Sequence, residues 1–483
     1  MRAAHSVADV RTAEAALMRQ LPAGTLMSRA ATGLSATCAG LLDRVYGAEV
    51  VALVGSGDNG GDALFAAAHL ANRGASVRVV ATGEPHAAGL AAATAAGARL
   101  VDGAVAVSAL AGADLVLDGI VGIGAKGPLR DDAAALVEAI GPAAVVVAVD
   151  LPSGVAPDTG AVSGSAVQAD VTVTFGTYKA CHLIDPAAGR CGTVRLVDIG
   201  LADLPEAAVL AWQVDDVAAC LPAPDRDADK YRRGVLGVLA GSSRYPGAAI
   251  LATGAALNSG AGYVRVCAGK GVSGPVRLAH PEAVVVGEDP AAAGRMQAWA
   301  VGPGLGTDAA AAERVGAALA ADVPTVLDAD ALTILAQRPD LLAGRSADTV
   351  LTPHFRELGR LLGVAADEVA ARRLWHAQEA ADRFGATVLL KGSTSLVAQP
   401  GRQQVIANPT GTPALATAGS GDVLTGLVGA LLAGGASGVA AAAAGAWIHG
   451  LAGRLVGGSR PASASVLTTA LGDAFAVVQD ASD

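Results

Sequence analysis

Short apolar runs that end in a glycine or a carboxylate recur along the whole chain. Residues 50–54 form one run that leads straight into a glycine-rich segment, while the runs at residues 115–118 and 144–150 each end in an aspartate. An uninterrupted apolar run of this length is typical of a strand that is buried on both faces of a sheet. Helix-like stretches separate the runs, so the pattern predicts right-handed βαβ units and a mostly parallel sheet.

The pattern of apolar runs starts again in the second half of the chain. With 483 residues, the chain exceeds the size at which a single hydrophobic core stops growing. Residues 204–229 are rich in proline and charge, and the next strand-like run, residues 235–240, follows them. We therefore predict an α/β protein of two domains, residues 1–212 and residues 213–483. Further strands are predicted there at residues 298–301, 325–328, 349–352 and 387–391.

Composition excludes several classes of function. The net charge is −10 and the chain has no basic run, which argues against a nucleic-acid-binding surface. The five cysteines are widely spread and never form a C-x-x-C pair, so neither a disulfide framework nor a zinc site is expected. Charged residues near the N-terminus leave no apolar core for a signal peptide. We expect a cytoplasmic protein with no nucleic-acid or membrane partner.

One stretch resembles a membrane span in composition. Between Asp422 and Arg454 the chain has no Asp, Glu, Lys or Arg, which exceeds the ~20 apolar residues that a crossing needs. Gly434, Gly435 and Ser437 interrupt this stretch, and most of the remainder is alanine. We predict two buried helices joined by a glycine turn in a soluble chain.

The glycine-rich segment at residues 55–62 reads GSGDNGGD. Its glycines let backbone N–H groups approach a phosphate at the start of the following helix, although a tight structural turn is the alternative. The segment lacks the Lys-Ser/Thr of a Walker loop. Three more polar residues, Asp118, Asp150 and Ser153, fall just beyond predicted strand ends, where open α/β sheets bind ligands. We expect these three residues and Asn59 to lie around one crevice.

Two further segments follow the same strand ends. Residues 122–128, GIGAKGP, combine glycines and a lysine near a carboxylate, which suits a phosphate contact or a plain turn. Residues 150–154, DLPSG, place a carboxylate and a hydroxyl on a proline-stiffened turn. A helix cap is the alternative role for Asp150.

With residues 173–179, VTFGTYK, these segments resemble the NAD(P)H-hydrate epimerases over most of residues 1–212. The resemblance implies a Rossmann-like three-layer αβα domain that binds a hydrated nicotinamide nucleotide, with Asp150 as the acid/base that exchanges the configuration at C6. It also implies a potassium ion on Asn59, Asp118 and Ser153, whose oxygens are hard ligands. Asp58 is a departure, because the family more often has Asn there. The implied substrate contacts are Asp58, Asn59, Gly60, Gly61, Asp62, Gly122, Ile123, Gly124, Ala125, Lys126, Gly127, Pro128 and Asp150.

A second glycine loop, residues 418–422, precedes a helix-like stretch near the C-terminus. Such a loop makes an anion hole, and Asp422 at its end is suited to take a proton from a hydroxyl that faces the hole. Residues 302–306 form another glycine loop after a strand. Asp328 and Asp330 place two carboxylates at a strand end, which suits magnesium–phosphate ligation.

This order of segments resembles the ribokinase-like superfamily, and within it the ADP-dependent NAD(P)H-hydrate dehydratases, from about Val214 to the C-terminus. Residues 240–248, 352–354 and 408–411 carry the closer match, while Phe355-Arg356 and Ala418 depart from the family pattern. The resemblance implies a ribokinase-like three-layer αβα domain and ADP as co-substrate. The implied hydrate contacts are Ala248, Gly304, His354 and Asp422, and the implied adenine-nucleotide contacts are Lys391, Gly392, Ser393, Thr394, Ser395 and Gly421.

Together the two resemblances imply repair of hydrated NADH and NADPH. The first domain would interconvert the R and S hydrates at C6, and the second would dehydrate the S form with ADP, giving AMP and phosphate. Asp422 would deprotonate the C6 hydroxyl while the amides of residues 419–421 hold the phosphate that is transferred to it. His354 would contact the ring, whereas His449 on an alanine-rich helix is expected to be part of the core. Because many ribokinase-like folds self-associate, a homo-oligomer is expected.

Two alternatives stay open at this point. The second half fits a small-molecule kinase of the vitamin type, which would release a stable phosphate ester. The first half fits a module that only binds a nucleotide or a partner. The preference for ADP over ATP comes from the resemblance alone.

Overall fold

The computed structural model describes residues 1–124, 127–222, 227, 229–457 and 461–481. The chain divides into two compact units, Ala3–Val209 and Leu210–Asp483 with Met1–Arg2. The strands of the described residues are β1 (Arg2–Ala4), β2 (Glu49–Val54), β3 (Ser76–Ala81), β4 (Arg99–Leu100), β5 (Leu115–Gly119), β6 (Val145–Val149), β7 (Val171–Phe175), β8 (Thr193–Val197), β9 (Val209–Ala211), β10 (Val235–Leu239), β11 (Tyr263–Cys267), β12 (Val284–Val286), β13 (Ala298–Val301), β14 (Thr325–Leu327), β15 (Thr349–Leu351), β16 (Thr387–Leu390), β17 (Ser395–Ala398) and β18 (Val405–Asn408).

Helices connect most of these strands. The α-helices of the same residues are α1 (Val7–Met18), α2 (Thr25–Leu41), α3 (Asp58–Asn72), α4 (Ala87–Ala95), α5 (Gly103–Ala111), α6 (Asp131–Glu138), α7 (Val214–Ala218), α8 (Pro246–Asn258), α9 (Lys270–Ala279), α10 (Ala309–Ala320), α11 (Asp330–Gln337), α12 (Phe355–Leu362), α13 (Ala366–Ala371), α14 (Arg373–Phe384), α15 (Ser420–Ala433), α16 (Gly438–Gly457) and α17 (Ala464–Asp480). Short 3-10 helices lie at Ala180–His182, Ala188–Arg190, Pro290–Ala292, Pro339–Leu342 and Pro413–Leu415.

The first unit contains a parallel sheet in the order β4-β3-β2-β5-β6-β7-β8. From β2 the chain adds β3 and β4 on one side and then β5 to β8 on the other, so the strand order reverses between β2 and β5. In open parallel sheets the connections diverge at such a reversal and leave a crevice outside the carboxyl ends of the strands. The residues that follow β2, β5 and β6 therefore surround one crevice.

The two faces of β2 are both covered by helices. Val50, Ala52 and Val54 pack with apolar residues of α2 and α3, while Val51 and Leu53 pack with those of α5 and α6. Successive side chains of a strand point to opposite faces, so an uninterrupted apolar run is the composition that a three-layer αβα unit needs here. The predicted fold class is confirmed for this unit.

The second unit repeats this construction with a longer sheet. Within this sheet, strands β10 to β18 run in the order β18-β17-β16-β15-β14-β13-β10-β11-β12. The pairs of β16 with β17 and of β17 with β18 are antiparallel, and the other pairs are parallel. The strand order reverses between β10 and β13, so the loops after these strands and their neighbours lie around a second crevice.

Helices α15 and α16 account for the stretch that resembles a membrane span. They are separate helices with Gly434 and Gly435 between them, and their residues lie mostly in the core of the second unit. The prediction of two buried helices is confirmed. α16 is long and apolar enough to cross a membrane, with a mean hydropathy of 1.3, and 67% of the relevant window is buried inside the protein.

Close approach of α8 and α15 depends on a glycine. A Cβ atom at Gly426 would overlap the backbone carbonyl oxygen of Ala252, and it would lie 2.9 Å from the Cβ of Ala255. The helices therefore pack with backbone against backbone, which suits a core built largely of alanine and small aliphatic residues.

We expect Gly426→Ala to destabilise the second unit by about 1–3 kcal/mol, the usual cost of overpacking a close-packed core. Gly472 is the matched control, because it lies on the exposed face of α17 with no atom within 4 Å of a Cβ. Gly472→Ala is expected to raise stability by up to about 1 kcal/mol through helix propensity. Thermal unfolding of both variants checks this, and equal Tm values would contradict it.

Candidate active sites

A cavity of about 700 Å³ lies at the reversal point of the first sheet. The loops after β2 and β5 form one side of it, and α1 contributes residues to the other. Its lining consists of Arg11, Glu14, Met18, Gly55, Ser56, Gly57, Asp58, Asn59, Asp62, Thr82, Ile120, Val121, Gly122, Ile123, Gly124, Pro128, Leu129, Arg130, Ala133, Asp150 and Phe175. We refer to it as the epimerase cavity, after the resemblance.

The structure brings most of the predicted substrate residues of the first unit to this cavity. Those that line it are Asp58, Asn59, Asp62, Gly122, Ile123, Gly124, Pro128 and Asp150. Gly60 and Gly61 do not line it, because they lie in the first turn of α3 and pack against the backbone of Gly55 and the side chain of Met27. Gly127 is exposed outside the lining. Ala125 and Lys126 lie outside the described residues.

Asp150 follows β6 in a strained conformation. Its φ is 64°, a left-handed value that is uncommon for a residue other than glycine. The buried His182 ring holds this conformation, since its Nε2 lies 2.8 Å from the backbone oxygen of Asp150. Burial lowers the pKa of His182 to about 4, and the charge of Lys179 acts in the same direction. The ring is therefore neutral at physiological pH and acts as a fixed donor.

One oxygen of the Asp150 carboxylate is fully occupied by the protein. Lys179 donates from Nζ to Oδ1 at 2.5 Å, and the Thr174 hydroxyl donates to the same oxygen at 2.9 Å. Lys179 is 1% exposed, and its other protons go to Thr174 Oγ1 and the Phe175 carbonyl. No described residue contacts Oδ2 by a hydrogen bond. This second oxygen is therefore the one available to a ligand in the epimerase cavity.

The environment of Asp150 favours its charged form. Burial by itself raises the pKa of this carboxyl, but the Lys179 ammonium and the hydrogen bonds from Lys179 and Thr174 outweigh burial and lower the pKa below its usual value. An ionised carboxylate with a free oxygen beside a cavity is suited to accept a proton.

Asp118 and Ser153 lie together beneath the cavity. The Ser153 hydroxyl donates to Asp118 Oδ1 at 2.6 Å, and the Ser153 backbone N–H donates to Oδ2 at 2.8 Å. Asn59 belongs to the same corner, because Gly119 and Gly122 both pack against it. Both Asp118 and Ser153 are completely buried.

This corner fits an alkali cation. Burial raises the pKa of Asp118 to about 6, and no cationic side chain among the described residues pairs with it. The Asn59 side-chain amide also has one buried atom, Nδ2, without a hydrogen-bond partner. The oxygen and nitrogen of an amide are assigned from their partners, so a flipped amide would put its oxygen at this unpartnered position. A carboxylate, a hydroxyl and an amide oxygen are ligands that suit a hard cation.

The sequence patterns did not point to the contribution of α1. Arg11, Glu14 and Met18 line the cavity, yet they carry no glycine motif or strand-end position that would have marked them. Thr174 and Lys179 belong to a segment that the resemblance includes, but only the structure joins them to Asp150. Their spacing along the chain gives no signal of a shared hydrogen bond.

Loops of the second unit meet in the same way at its reversal point. Ala248 lies near the start of α8, and Gly304 follows β13. A Cβ atom placed at Gly304 would lie 2.9 Å from the Cβ of Ala248. Gly304 has a φ of 63°, so its turn favours glycine. Two of the predicted hydrate contacts are thereby neighbours.

A chain of polar contacts links the ends of two strands, β14 and β16, with α15. Lys391, after β16, donates from Nζ to Asp328 Oδ1 at 2.7 Å, and the Thr425 hydroxyl of α15 donates to Asp328 Oδ2 at 2.8 Å. A Cβ at Gly421 would lie 3.5 Å from both Asp328 Oδ2 and Lys391 Nζ. Predicted nucleotide residues Lys391 and Gly421 therefore lie side by side.

The predicted magnesium role of Asp328 and Asp330 stays a prediction. Both oxygens of the buried Asp328 accept hydrogen bonds, and Asp330 Oδ2 accepts one from the Gly306 backbone N–H at 2.8 Å. Among the described residues no group of three or more His, Cys, Asp or Glu side chains is placed to hold a metal ion. Asp328 also joins Lys391 to the start of α15.

Asp422 lies in the first turn of α15 and is half-buried. None of the described residues makes a hydrogen bond or an ion pair with its carboxyl. Burial raises the pKa of Asp422 to about 6, the nearby Asp328 charge raises it further, and Lys391 opposes both. Its carboxylate is therefore free to act on a ligand and titrates just below neutral pH.

Two histidines of this unit have different positions. His449 is buried and its Nε2 lies 2.9 Å from the Ser420 carbonyl, as expected for a core residue that fixes the start of α15. His354 caps α12, where its Nδ1 accepts from the backbone N–H groups of Arg356 and Glu357. Its side chain is 51% exposed, so the other face of the ring is accessible.

The remaining predicted nucleotide residues form the turn between β16 and β17. Gly392 and Ser393 are exposed, Thr394 is buried, and the Ser395 hydroxyl lies 3.5 Å from the Gly392 carbonyl. The aromatic ring of Phe355, one of the departures from the family pattern, packs 3.3 Å from a Cβ placed at Gly392. This departure therefore shapes the turn that follows Lys391.

Comparisons with known families match the two units separately. The family model for the YjeF-related protein N-terminus matches residues 23–181, and the model for NAD(P)H-hydrate dehydratase matches residues 236–476. Each match covers the reversal point described above for its unit.

Relatives match nearly the whole chain. A bifunctional NAD(P)H-hydrate repair enzyme, Nnr, of Mycobacterium tuberculosis is 51% identical over 444 residues, 90% of each chain. The Nnr of Moorella thermoacetica is 37% identical over 424 residues, 80% of this chain and 79% of its own. A Bacillus subtilis ADP/ATP-dependent NAD(P)H-hydrate dehydratase, co-crystallised with ATP and Mg²⁺, covers 56% of this chain and 99% of its own at 30% identity and a TM-score of 0.51. The chain therefore belongs to the family of bifunctional NAD(P)H-hydrate repair enzymes.

Proposed function

We propose that this chain repairs hydrated NADH and NADPH in two steps. Residues 1–212 interconvert the R and S hydrates at C6, and residues 213–483 dehydrate the S form at the expense of ADP, giving AMP and phosphate. The observation that carries the proposal is a carboxylate with an available oxygen beside a glycine loop in each unit. Asp150 lines the cavity at the reversal of the first sheet, and Asp422 lies in the first turn of α15, directly after the glycine loop at residues 418–421. The similarity to a bifunctional NAD(P)H-hydrate repair enzyme and to an ADP/ATP-dependent NAD(P)H-hydrate dehydratase supports repair of the hydrates and the use of a nucleotide.

Incubation of the purified chain with NADH hydrate and ADP tests the whole proposal. Repair restores the ultraviolet absorbance of NADH, and it consumes both hydrates when both units work. A stable phosphorylated product without recovered NADH would instead establish the small-molecule kinase, with the first unit as a nucleotide-binding module. Replacement of ADP by ATP in the same assay determines which nucleotide is preferred.

In the first unit, exchange of the C6 configuration requires that one proton is removed and another returned. Asp150 Oδ2 is the proton acceptor, because Oδ1 is held by Lys179 and Thr174. The backbone amides after Gly55 and Gly122, with Arg11 and Arg130 in the lining, are placed to bind the phosphates of the dinucleotide. Gly60 and Gly61, in the first turn of α3, allow this helix to begin close to the loop.

A potassium ion on Asn59, Asp118 and Ser153 belongs to the same proposal. These residues would hold the ion through amide, carboxylate and hydroxyl oxygens. When bound, it supplies a positive charge that offsets the buried Asp118 carboxylate and fixes the turn that carries Asp150 and Ser153.

In the second unit, Asp422 takes the proton of the C6 hydroxyl, and the oxygen attacks the terminal phosphorus of ADP as AMP leaves. The phosphate then leaves C6 and a proton leaves C5, which restores the dihydronicotinamide. Lys391 and the amides of residues 419–421 hold the phosphates, while Ala248, Gly304 and the exposed face of His354 border the hydrate. A magnesium ion would be held through the nucleotide phosphates, together with the carboxylates of Asp328 and Asp330.

The remaining expectations concern assembly and location. A homo-oligomer is proposed from the ribokinase-like fold, and sedimentation of the purified chain checks it. Residence in the cytoplasm, without nucleic-acid or membrane partners, stays a prediction.

The dehydration rate should fall as the pH drops below about 6. Asp422 acts as a base only when ionised, and its raised pKa means that protonation removes the base as the pH falls through that value. We expect Asp422→Asn to lower kcat about 10²–10⁴-fold at neutral pH. The pH profile of ADP-dependent NADH recovery from the S hydrate measures both effects. A flat profile from pH 5 to 8 would contradict the assignment.

Epimer interconversion should depend on Lys179 through its pH profile. Lys179→Met removes the charge that lowers the pKa of Asp150, so the acid limb of the profile should move to higher pH. This variant also leaves a buried charge unpaired, which costs about 3–5 kcal/mol of stability. Thr174→Val is the milder companion, since it removes one hydrogen bond and should give a smaller shift in the same direction. Chromatographic separation of the two hydrates without ADP measures the rate, and an unshifted limb in both variants would exclude this role.

Potassium should stabilise the first unit through Asp118. Exchange of Na⁺ for K⁺ at constant ionic strength should raise the Tm of the native chain, because a ligand that binds only the folded state stabilises it. Asp118→Asn should abolish this increment, whereas the exposed control Asp43→Asn should retain it. The potassium site is rejected if the native chain shows no difference between the two ions.

A further inference from the structure

Glu14 is a carboxyl on the inner side of α1. It follows the fully buried Val10 by four residues, so both side chains lie on the same face of the helix. Glu14 lines the epimerase cavity and also a second cavity of about 670 Å³. The second cavity is largely apolar and shares with the first a boundary made of Glu14, Met18, Asp58, Asp62 and Phe175.

The protein supplies no partner for this carboxyl among the described residues. Glu14 is half-buried and makes neither a hydrogen bond nor an ion pair there. Lys179 is the cation with the largest electrostatic effect on Glu14, but it donates its three protons to Asp150, Thr174 and the Phe175 carbonyl. A partly buried carboxyl without a partner lowers stability, so its place beside a cavity points to a ligand.

The charged groups that face Glu14 come from four elements. Asp150 follows β6, Lys179 follows β7, Asp58 and Asp62 belong to α3, and Arg11 precedes Glu14 on α1. Burial raises the pKa of Glu14, Asp150 and Asp58 raise it further, and Lys179 and Arg11 oppose them. The pKa of Asp150 is lowered instead. Burial and the neighbouring carboxylates raise the pKa of Asp62 as well. The cavity therefore holds one carboxyl suited to accept a proton, Asp150, and two candidate donors, Glu14 and Asp62.

We propose that Glu14 is the proton donor of the epimerisation, acting in the epimerase cavity together with Asp150. This inference rests on the proposed function of the first unit. Glu14 is preferred to Asp62 because α1 brings it to the cavity from an element separate from the glycine loop, whereas Asp62 lies on the helix that begins in that loop.

The chemistry requires one donor and one acceptor. Asp150 Oδ2 takes the proton of the C6 hydroxyl, the C6–N1 bond breaks to leave an aldehyde, and Glu14 gives its proton to N1. Rotation about C5–C6 presents the other face of the carbonyl. N1 then attacks C6 and returns its proton to Glu14, while the oxygen recovers a proton from Asp150. Only the configuration at C6 has changed, and no oxidant or reductant is needed.

The test compares Glu14→Gln with Asp62→Asn and with the exposed control Glu84→Gln. An acid catalyst must be protonated, so the native rate of interconversion should fall at high pH. In Glu14→Gln we expect kcat to drop about 10²–10⁴-fold, KM to change less than about threefold, and the alkaline limb to vanish. Its Tm should not fall, because the substitution removes a partly buried charge. Glu84→Gln should behave as the native chain does.

Each other outcome overturns the proposal. Native kcat in Glu14→Gln, or loss of the alkaline limb in Asp62→Asn alone, assigns the donor elsewhere. A lower Tm with parallel loss of ADP-dependent dehydration shows that Glu14 is structural. Failure of the proposed function is distinguishable, because in that case the native chain itself does not interconvert the separated hydrates.

Discussion

Parallel strands deliver all their carboxyl ends to one edge of a sheet, and this constraint places both candidate sites. In each unit the strand order reverses next to the first central strand, β2 or β10, and the loops on either side of the reversal diverge. Residues distant in sequence, such as Asn59 and Asp150, become neighbours of one cavity for that reason. The glycines on these loops let the backbone come close to a ligand, while the buried apolar strands fix the positions at which the loops begin and end.

Each unit contains an ion pair between a lysine and an aspartate, but the aspartate is the candidate base only in the first unit. Lys179 pairs directly with the candidate base Asp150 and keeps it ionised. Lys391 pairs with Asp328, which neutralises much of its charge, so Asp422 nearby retains a raised pKa. The same pair of residue types thus lowers the pKa of one base and leaves that of the other close to 6. Because the lysine pairs with the candidate base in the first unit but with a different aspartate in the second, we expect the two activities to differ in their sensitivity to acid.

Much of the fold follows from local pattern. The run at residues 50–54 and the aspartates that end the strands at 118 and 150 predicted buried parallel strands, and β2, β5 and β6 lie there. The Gly434 break correctly separated α15 from α16. The contacts of Asp328 with Lys391 and Thr425 could not be predicted, because a strand-end position says where a carboxylate lies but not which side chains its oxygens contact. The sequence of α1 contains no motif that marks Glu14, because this residue lies beside the cavity only as a result of how the helix packs.

The amino-acid sequence by itself determined the α/β class, the two-unit organisation, the strand end that carries Asp150 and the glycine loop that precedes Asp422. These depend on apolar runs, glycines and spacing, which act over a few neighbouring residues. Only the tertiary structure decided which oxygen of Asp150 is free, which carboxylate each lysine pairs with, and that Glu14 lies beside the cavity. Those properties depend on contacts between residues far apart in the chain, and burial then fixes the protonation state of each group.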